Sequence, residues 1–135
     1  MPDSSGPKGI PHSQPDIKWP NGAKVAVMLT FDFDAETLWV SRDPSNWKKP
    51  GTLSQGTYGA RVAVPKILEL LRDVELKGTF FVPGWTAEKH TDRCAAILEN
   101  GHEIGHHGYL HEYPDADDPK GLVASIDKGL EALRK

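Results

Sequence analysis

Residues 24–32 read KVAVMLTFD, a short and nearly continuous apolar run rich in residues that favour β-structure. A run of this length, followed by dense charges, is more typical of a strand buried on both faces of a parallel sheet than of a buried helix. TFFV at Thr79–Val82 is a second run of the same kind, and Glu103–His107 is a third candidate. The sequence therefore predicts three short parallel strands.

Helical signals follow each predicted strand. The first helix is expected to begin near Val64, with a proline in its first turn, and to end at Gly78. The second extends from an N-cap at Thr86 to Asn100, and the third begins after a cap at Asp118. This alternation predicts right-handed βαβ units and a protein of the α/β class.

Two regions lie outside this alternation. Residues 37–58 form a long connection with Pro, Gly, Trp39 and Trp47, and a connection of this length in a compact domain is often functional. Residues 1–21 predict an extended arm, and residues 22–135 predict part of one domain. No strand follows the last predicted helix, so we expect the domain to be incomplete in this chain. Its open sheet edge then needs a homo-oligomer or a companion chain that carries the missing half.

The composition is that of a soluble globular protein. Of 135 residues, 38% are hydrophobic and 26% are charged, with a net charge of −3 and no basic stripe, so we expect no nucleic-acid partner. No apolar run approaches the ~20 residues of a membrane span, and Met1–Ile10 has no signal-peptide pattern. We therefore expect a cytoplasmic protein with no membrane partner. Cys94 shares a helix face with Ile97 and Leu98 and is expected to be a small buried hydrophobe.

Two carboxylates mark the end of the first predicted strand. Strand alternation places Asp32 and Asp34 on one face, with Phe31 and Phe33 on the other. Ligands of parallel α/β proteins bind beyond the carboxyl ends of strands, and adjacent carboxylates need water, a shared proton or a cation to offset their repulsion. A solvated acidic loop is the alternative, because Glu36 follows closely.

A histidine cluster marks the end of the third predicted strand. His107 and His111 are four residues apart, so they can converge from one helical turn or from a loop. Strand alternation directs His106 and His107 to opposite faces, and we choose His107 because it pairs with His111. Surface or capping histidines are the alternative, but four of the six histidines lie between His102 and His111, which favours a metal site.

The two features together give one carboxylate and two imidazoles at the exits of buried strands. Three protein ligands with open positions are typical of a catalytic zinc site, and the same set is the facial triad of non-haem iron oxygenases. Spacing alone leaves both the hydrolase and the oxygenase open. Four aromatic residues either line a substrate groove or serve ordinary packing: Trp39, Trp47, Trp85 and Tyr109.

Three motifs resemble those of the polysaccharide deacetylases, carbohydrate esterase family four. TFDFD at Thr30–Asp34 is similar to the family's first motif, TFDDG. Thr79–Val82 and the later GHEIG at Gly101–Gly105 resemble its TFF…GHEIG pattern, and His107–His111 resembles its second motif. The matches follow the family order and extend over residues 24–111. The resemblance implies a distorted (β/α) barrel, of which this chain is the N-terminal part.

The first motif departs from the common family pattern. It reads FDFDAE, so Phe33 separates the two aspartates. This variant is similar to a subgroup that holds peptidoglycan deacetylase-like proteins, cyclic imide hydrolases and allantoinase-like ureide hydrolases. The resemblance therefore implies hydrolysis of a C–N amide bond. The expected substrate is an N-acetylated sugar or peptidoglycan, and the alternative is a small cyclic imide or ureide.

The resemblance also implies roles for individual residues. Asp34, His107 and His111 would bind one divalent metal, with zinc as the default and cobalt, manganese, nickel or iron as substitutes. Asp32 would be the general base. We expect three further residues to contact the substrate: Glu36, Trp39 and Tyr109.

The family's later motifs, including the histidine taken as general acid, have no counterpart in residues 112–135. We therefore expect the 135-residue chain alone to be nearly inactive. The remaining alternative is a non-catalytic domain that keeps the first half of the fold.

Overall fold

The computed structural model describes residues 18–135. Its strands are β1 (Thr30–Asp32), β2 (Thr79–Val82) and β3 (Glu103–His106). They form one sheet in the order β1-β2-β3, with both neighbouring pairs parallel. Consecutive strands are therefore neighbours that run in the same direction, with helices in each connection, as the predicted βαβ alternation requires.

The helices of the described residues lie in the two connections between strands and after β3. They are α1 (Thr37–Arg42), α2 (Pro50–Tyr58), α3 (Val64–Asp73), α4 (Gly84–Lys89), α5 (Thr91–Glu99) and α6 (Pro119–Leu133). A 3₁₀ turn, Pro44–Lys48, separates α1 from α2, and a π-helical segment, Gly59–Ala63, joins α2 to α3. Among these helices, none combines the length and apolar character that a bilayer crossing requires.

The hydrophobic core lies between the sheet and the helices α3 and α5. Phe80 and Val82 of β2 and Ile97 of α5 have no exposed surface, and the ring of Phe31 stacks on Phe80 at 5.0 Å. Cys94 is buried in this core, and desolvation raises the pKa of its thiol to about 11. It is therefore a neutral thiol at physiological pH, which agrees with its predicted role as a small hydrophobe.

The first strand is much shorter than the sequence predicts. β1 pairs only with β2, from Thr30 opposite Thr79, and no described segment pairs with residues 24–28. Val27 and Met28 are therefore 78% and 86% exposed, and the expectation that this run is buried on both faces is wrong for the described residues. An apolar run is necessary for a buried strand, but burial also needs a neighbour on each side.

The predicted loop over residues 37–58 is mostly helical. Pro44 and Pro50 stand in the first turns of the 3₁₀ turn and of α2, where the missing N–H costs nothing. The helix predicted to begin at Val64 is therefore the continuation of a helical run that starts at Pro50. It ends at Asp73, five residues before Gly78.

The predicted helix from Thr86 to Asn100 is interrupted at His90, which separates α4 from α5. Thr86 lies inside α4 and does not cap it, because its hydroxyl is used in a contact with another segment. Two predicted helix ends are confirmed: Gly101 follows α5 with φ +74°, and the Asp118 side chain caps α6 by accepting from the Gly121 N–H at 2.9 Å.

The predicted arm lies outside the described residues up to residue 17. The remainder includes a 3₁₀ turn at Pro20–Gly22. The division into an arm and a domain part stays a prediction.

Candidate metal centre

Asp34 lies in the tight turn between β1 and α1. Its carbonyl oxygen accepts hydrogen bonds from the Thr37 hydroxyl at 2.7 Å, the Thr37 N–H at 3.1 Å and the Thr86 hydroxyl at 2.8 Å. Ala35 has φ +51°, a left-handed conformation that a residue with a side chain adopts at a cost. The surrounding contacts therefore hold the backbone in this strained conformation. They also fix the backbone position from which the Asp34 side chain extends.

His107 and His111 lie in the irregular segment that follows β3. The start of α4 holds this segment, because the Gly84 N–H donates to Gly108 O at 3.0 Å and the Trp85 N–H donates to Tyr109 O at 2.9 Å. Both Gly108 and His111 have positive φ, +74° and +60°. The four-residue spacing therefore works through a folded loop and not through a helical turn.

Asp34, His107 and His111 meet at one point. His107 Nε2 lies 3.4 Å from Asp34 Oδ1, and His111 Nε2 lies 3.7 Å from Asp34 Oδ2. One potential ligand atom from each residue lies within 4.8 Å of the other two. The imidazole rings are nearly perpendicular, at 81° with centroids 4.8 Å apart. The carboxyl ends of β1 and β3 thus bring together side chains that are more than 70 residues apart in sequence.

The chemistry of these atoms fits a cation between them. Asp34 Oδ1 and His107 Nε2 are buried, and neither has a hydrogen-bond partner among the described residues. Burial raises the pKa of the Asp34 carboxyl, and the nearby Asp32 raises it further, while His111 and His107 lower it. An inward-facing carboxylate that is both desolvated and unpartnered is costly, and a divalent cation would offset that cost.

Asp32 lies at the exposed end of β1 and does not contribute to the three-residue cluster. It lines a cavity of about 240 Å³ together with Asp34 and Trp39. Trp39 therefore lines the same cavity as the two carboxylates, and its contact with substrate stays a prediction. Trp47 and Trp85 pack edge to face at 5.1 Å, so they contact each other.

Two of the predicted substrate-binding residues have other partners. Glu36 is 6% exposed, and its Oε2 lies 2.8 Å from Nε2 of His90 at the junction of α4 and α5. The Tyr109 hydroxyl donates to Glu88 Oε2 at 3.1 Å, and Lys128 Nζ lies 3.7 Å from the centre of its ring. Both side chains hold segments of the fold together, and neither placement supports the predicted substrate contact.

The other two histidines of the cluster point away from the centre. The His106 ring contacts Gly129 of α6, where a side chain would collide with it. His102 is buried against Phe80, and its Nδ1 accepts a hydrogen bond from the Gly78 N–H at 3.3 Å. Burial lowers the pKa of His102, so it is a neutral core residue. His107 and not His106 therefore lies with Asp34 and His111, and its role as a ligand stays a prediction.

The sequence profile of the polysaccharide deacetylases matches residues 20–135. The chain belongs to the polysaccharide deacetylase family. A peptidoglycan deacetylase from Helicobacter pylori is 30% identical over 111 residues, which are 82% of this chain and 38% of that protein. The chain thus spans less than half the length of this relative.

Solved structures agree with this membership. A protein from Mycobacterium smegmatis assigned to the polysaccharide deacetylases matches with a TM-score of 0.78 and 42% identity, over 87% of this chain and 41% of that one. Puue allantoinase matches with a TM-score of 0.64 and 24% identity, over 86% of this chain and 43% of that one, a likeness of fold alone. The family resemblance and the α/β fold, as part of a (β/α) barrel, are therefore confirmed.

Several residues that support this candidate metal centre have no local signal in the sequence. Thr37 and Thr86 hold the Asp34 carbonyl, and Thr86 was expected only as a helix cap. Ser41 of α1 lies with its Oγ 3.4 Å from His111 Nδ1 and 3.3 Å from Leu38 O. An isolated serine in a helix is normally a surface residue, so its partner 70 positions away is visible only in three dimensions.

Ser41 contacts the His111 ring, and for a zinc ion held by His111 we expect Ser41→Ala to weaken the affinity about 10- to 100-fold. The Ser41 hydroxyl lies within hydrogen-bond distance of Leu38 O and of His111 Nδ1. In the tautomer that carries the proton on Nδ1, the Nε2 lone pair would be free for a metal beside Asp34. The measurement is a zinc Kd from competition with a chelator.

Ser54→Ala is the matched control, because Ser54 also donates to the carbonyl three residues before it, on the exposed side of α2. Equal zinc affinities in the Ser41 and Ser54 variants would show that Ser41 does not orient the ligand.

Proposed function

We propose that Asp34, His107 and His111 bind one divalent metal ion, with zinc as the first candidate. The convergence of their ligand atoms within 4.8 Å carries this proposal, together with the unpartnered buried atoms Asp34 Oδ1 and His107 Nε2. A carboxylate and two imidazoles suit zinc, and they also accept cobalt, manganese, nickel or iron.

We further propose that the protein removes the acetyl group from an N-acetylated carbohydrate such as peptidoglycan. Membership of the polysaccharide deacetylase family and the likeness to the Helicobacter pylori peptidoglycan deacetylase support this substrate class. A bound divalent metal lowers the pKa of water and polarises a carbonyl oxygen. Asp32, exposed beside Asp34, would accept the proton of the attacking water as general base.

The second candidate is hydrolysis of a small cyclic imide or ureide. The FDFDAE form of the first motif supports it as an alternative, because that variant resembles a subgroup that contains such hydrolases as well as peptidoglycan deacetylase-like proteins. Family membership favours either hydrolase over an iron oxygenase with the same ligands. Acetate release from N-acetylglucosamine oligomers, set against ring opening of succinimide and allantoin, separates the two substrate classes.

Asp32→Asn tests the proposed reaction in a preparation whose wild type releases acetate. We expect zinc affinity to stay within about twofold of the wild type, because Asp32 is not in the ligand cluster. The rate of acetate release should fall by about 10² or more, the usual contribution of a general base. Asp73→Asn, an exposed aspartate at the end of α3, is the control.

Two outcomes would contradict these roles. An unchanged rate of acetate release in Asp32→Asn would exclude Asp32 as the general base. Loss of zinc binding in the same variant would identify Asp32 as a metal ligand.

Cytoplasmic localisation, and assembly as a homo-oligomer or with a companion chain, stay predictions.

A further inference from the structure

The loop that carries His107 and His111 needs support from outside its own backbone. β3 ends at His106, and the following residues are in neither a helix nor a strand until α6. With positive φ at both Gly108 and His111, the loop lacks the regular hydrogen bonds that would fix a helical turn. Whatever satisfies its backbone N–H groups therefore also determines where the two imidazoles point.

Glu112 supplies this support. Its side chain folds back, and its Oε2 accepts hydrogen bonds from the N–H groups of Tyr109 and Leu110, both at 2.9 Å. These are consecutive backbone donors in the middle of the histidine loop, and a carboxylate is the strongest acceptor a side chain can offer them. One oxygen atom thus binds both of the backbone N–H groups that lie midway between the two histidines.

The residue before these two donors, Gly108, leaves room for this carboxylate. A side chain at Gly108 would place its Cβ 2.9 Å from Glu112 Oε2, so glycine leaves the space that the carboxylate occupies. The carboxylate therefore occupies the space beside Gly108 and lies against the backbone of the histidine loop.

We propose that Glu112 is a positioning residue that sets His107 and His111 against Asp34, and that it does not bind the metal itself. This proposal rests on the proposed metal centre. Glu112 is outside the group of residues whose ligand atoms converge, and its oxygen is directed at the loop backbone. Without the carboxylate, two adjacent N–H groups lose their acceptor and the loop relaxes, so the imidazoles no longer meet at one point.

The test compares Glu112→Ala and Glu112→Gln with the wild type by zinc competition. Glutamine keeps one acceptor oxygen and loses the charge, so we expect a zinc Kd raised about threefold in Glu112→Gln. Alanine removes the acceptor, and we expect a Kd raised about tenfold or more. The control is Glu69→Ala, an exposed glutamate of α3, which should bind zinc as the wild type does.

A second readout follows the backbone directly. In metal-free protein, the amide resonances of Tyr109 and Leu110 should shift and exchange faster with solvent in Glu112→Ala, with partial recovery in Glu112→Gln. If Glu112 only stabilised the fold, both variants would melt at a lower temperature. The zinc Kd would then show no graded recovery from Glu112→Ala to Glu112→Gln.

The outcomes are distinct. Unchanged zinc affinity in both Glu112 variants, in a protein whose wild type binds zinc, overturns the inference. If Glu112→Ala does not fold, the comparison of Glu112→Gln with the wild type decides. A raised zinc Kd in Glu112→Gln supports the inference, and an unchanged Kd overturns it. A wild type that binds no zinc overturns the proposed function, and the Tyr109 and Leu110 amides still report whether Glu112 holds the loop.

Discussion

We expect the proposed zinc binding to be lost when His107 is replaced by alanine. The wild type should hold about one equivalent after dialysis, and the variant less than about a tenth of that, because two remaining ligands do not retain zinc against dialysis. The Asp34 carboxylate would then face only His111, at 3.7 Å. Elemental analysis of the dialysed proteins gives the stoichiometry directly.

Asp34→Asn is a second variant that separates binding from folding. The amide keeps the size of the carboxylate but removes the charge, so we expect zinc binding to be lost as well. In metal-free protein, however, Asp34→Asn should melt no lower than the wild type, because burial and Asp32 both oppose the charge at this position. A large loss of metal-free stability would instead show that Asp34 mainly holds the fold.

Chelation links the same site to stability. With free zinc at a thousand times the Kd, binding stabilises the folded state by about 4 kcal/mol, and a strong chelator should remove that amount from the wild type. The same chelator should leave the melting temperature of His107→Ala unchanged. If the chelator lowered the melting temperature of both proteins equally, the metal would be bound at another site.

The candidate ligands could be predicted because their positions follow from the topology. In a parallel sheet the residues after each strand meet at one edge, so Asp34 after β1 and His107 after β3 converge whatever the helices between them do. Strand alternation also separates His106 from His107. These rules need only the carboxyl end of each strand, and the sequence predicts all three ends to within one residue although β1 begins later than expected.

The helices in residues 37–58 could not be predicted from the same kind of reading. Proline and glycine usually mark loops, but Pro44 and Pro50 begin helical turns, and Gly56 of α2 is buried against another segment. Whether a glycine breaks a helix or admits a close neighbour depends on what packs against it. The residue that packs against a glycine is often distant in sequence, so the sequence around the glycine gives no sign of it.

Side-chain partners were the least predictable feature. Glu36 and Tyr109 lie near the motifs, and both were expected to face substrate. Glu36 pairs with His90, 54 residues away, and Tyr109 lies between Glu88 and Lys128. A polar residue close to a catalytic motif either fixes the position of its neighbours or contacts a ligand, and only the tertiary structure separates the two uses.

Gly56→Ala will destabilise the protein, although alanine is the better helix former. A Cβ at this position would lie 2.6 Å from Glu36 Cα, 2.9 Å from Glu36 N and 3.0 Å from Ala35 O. All three atoms belong to the backbone of the turn after Asp34, so no flexible side chain can yield. We expect a loss of about 1–3 kcal/mol in the free energy of unfolding, measured by urea denaturation.

Gly51→Ala is the matched control, because Gly51 lies in the same helix and a Cβ there meets nothing within 4 Å. It should stabilise the protein by up to about 1 kcal/mol through helix propensity, so the two glycine variants should differ in sign. Gly56→Ala should also weaken zinc binding, since α2 can admit the new methyl group only by displacing the turn that carries Asp34. If Gly56→Ala were as stable as Gly51→Ala and bound zinc normally, α2 would not hold this turn in place. The position of the aspartate would then depend on Thr37 and Thr86 alone.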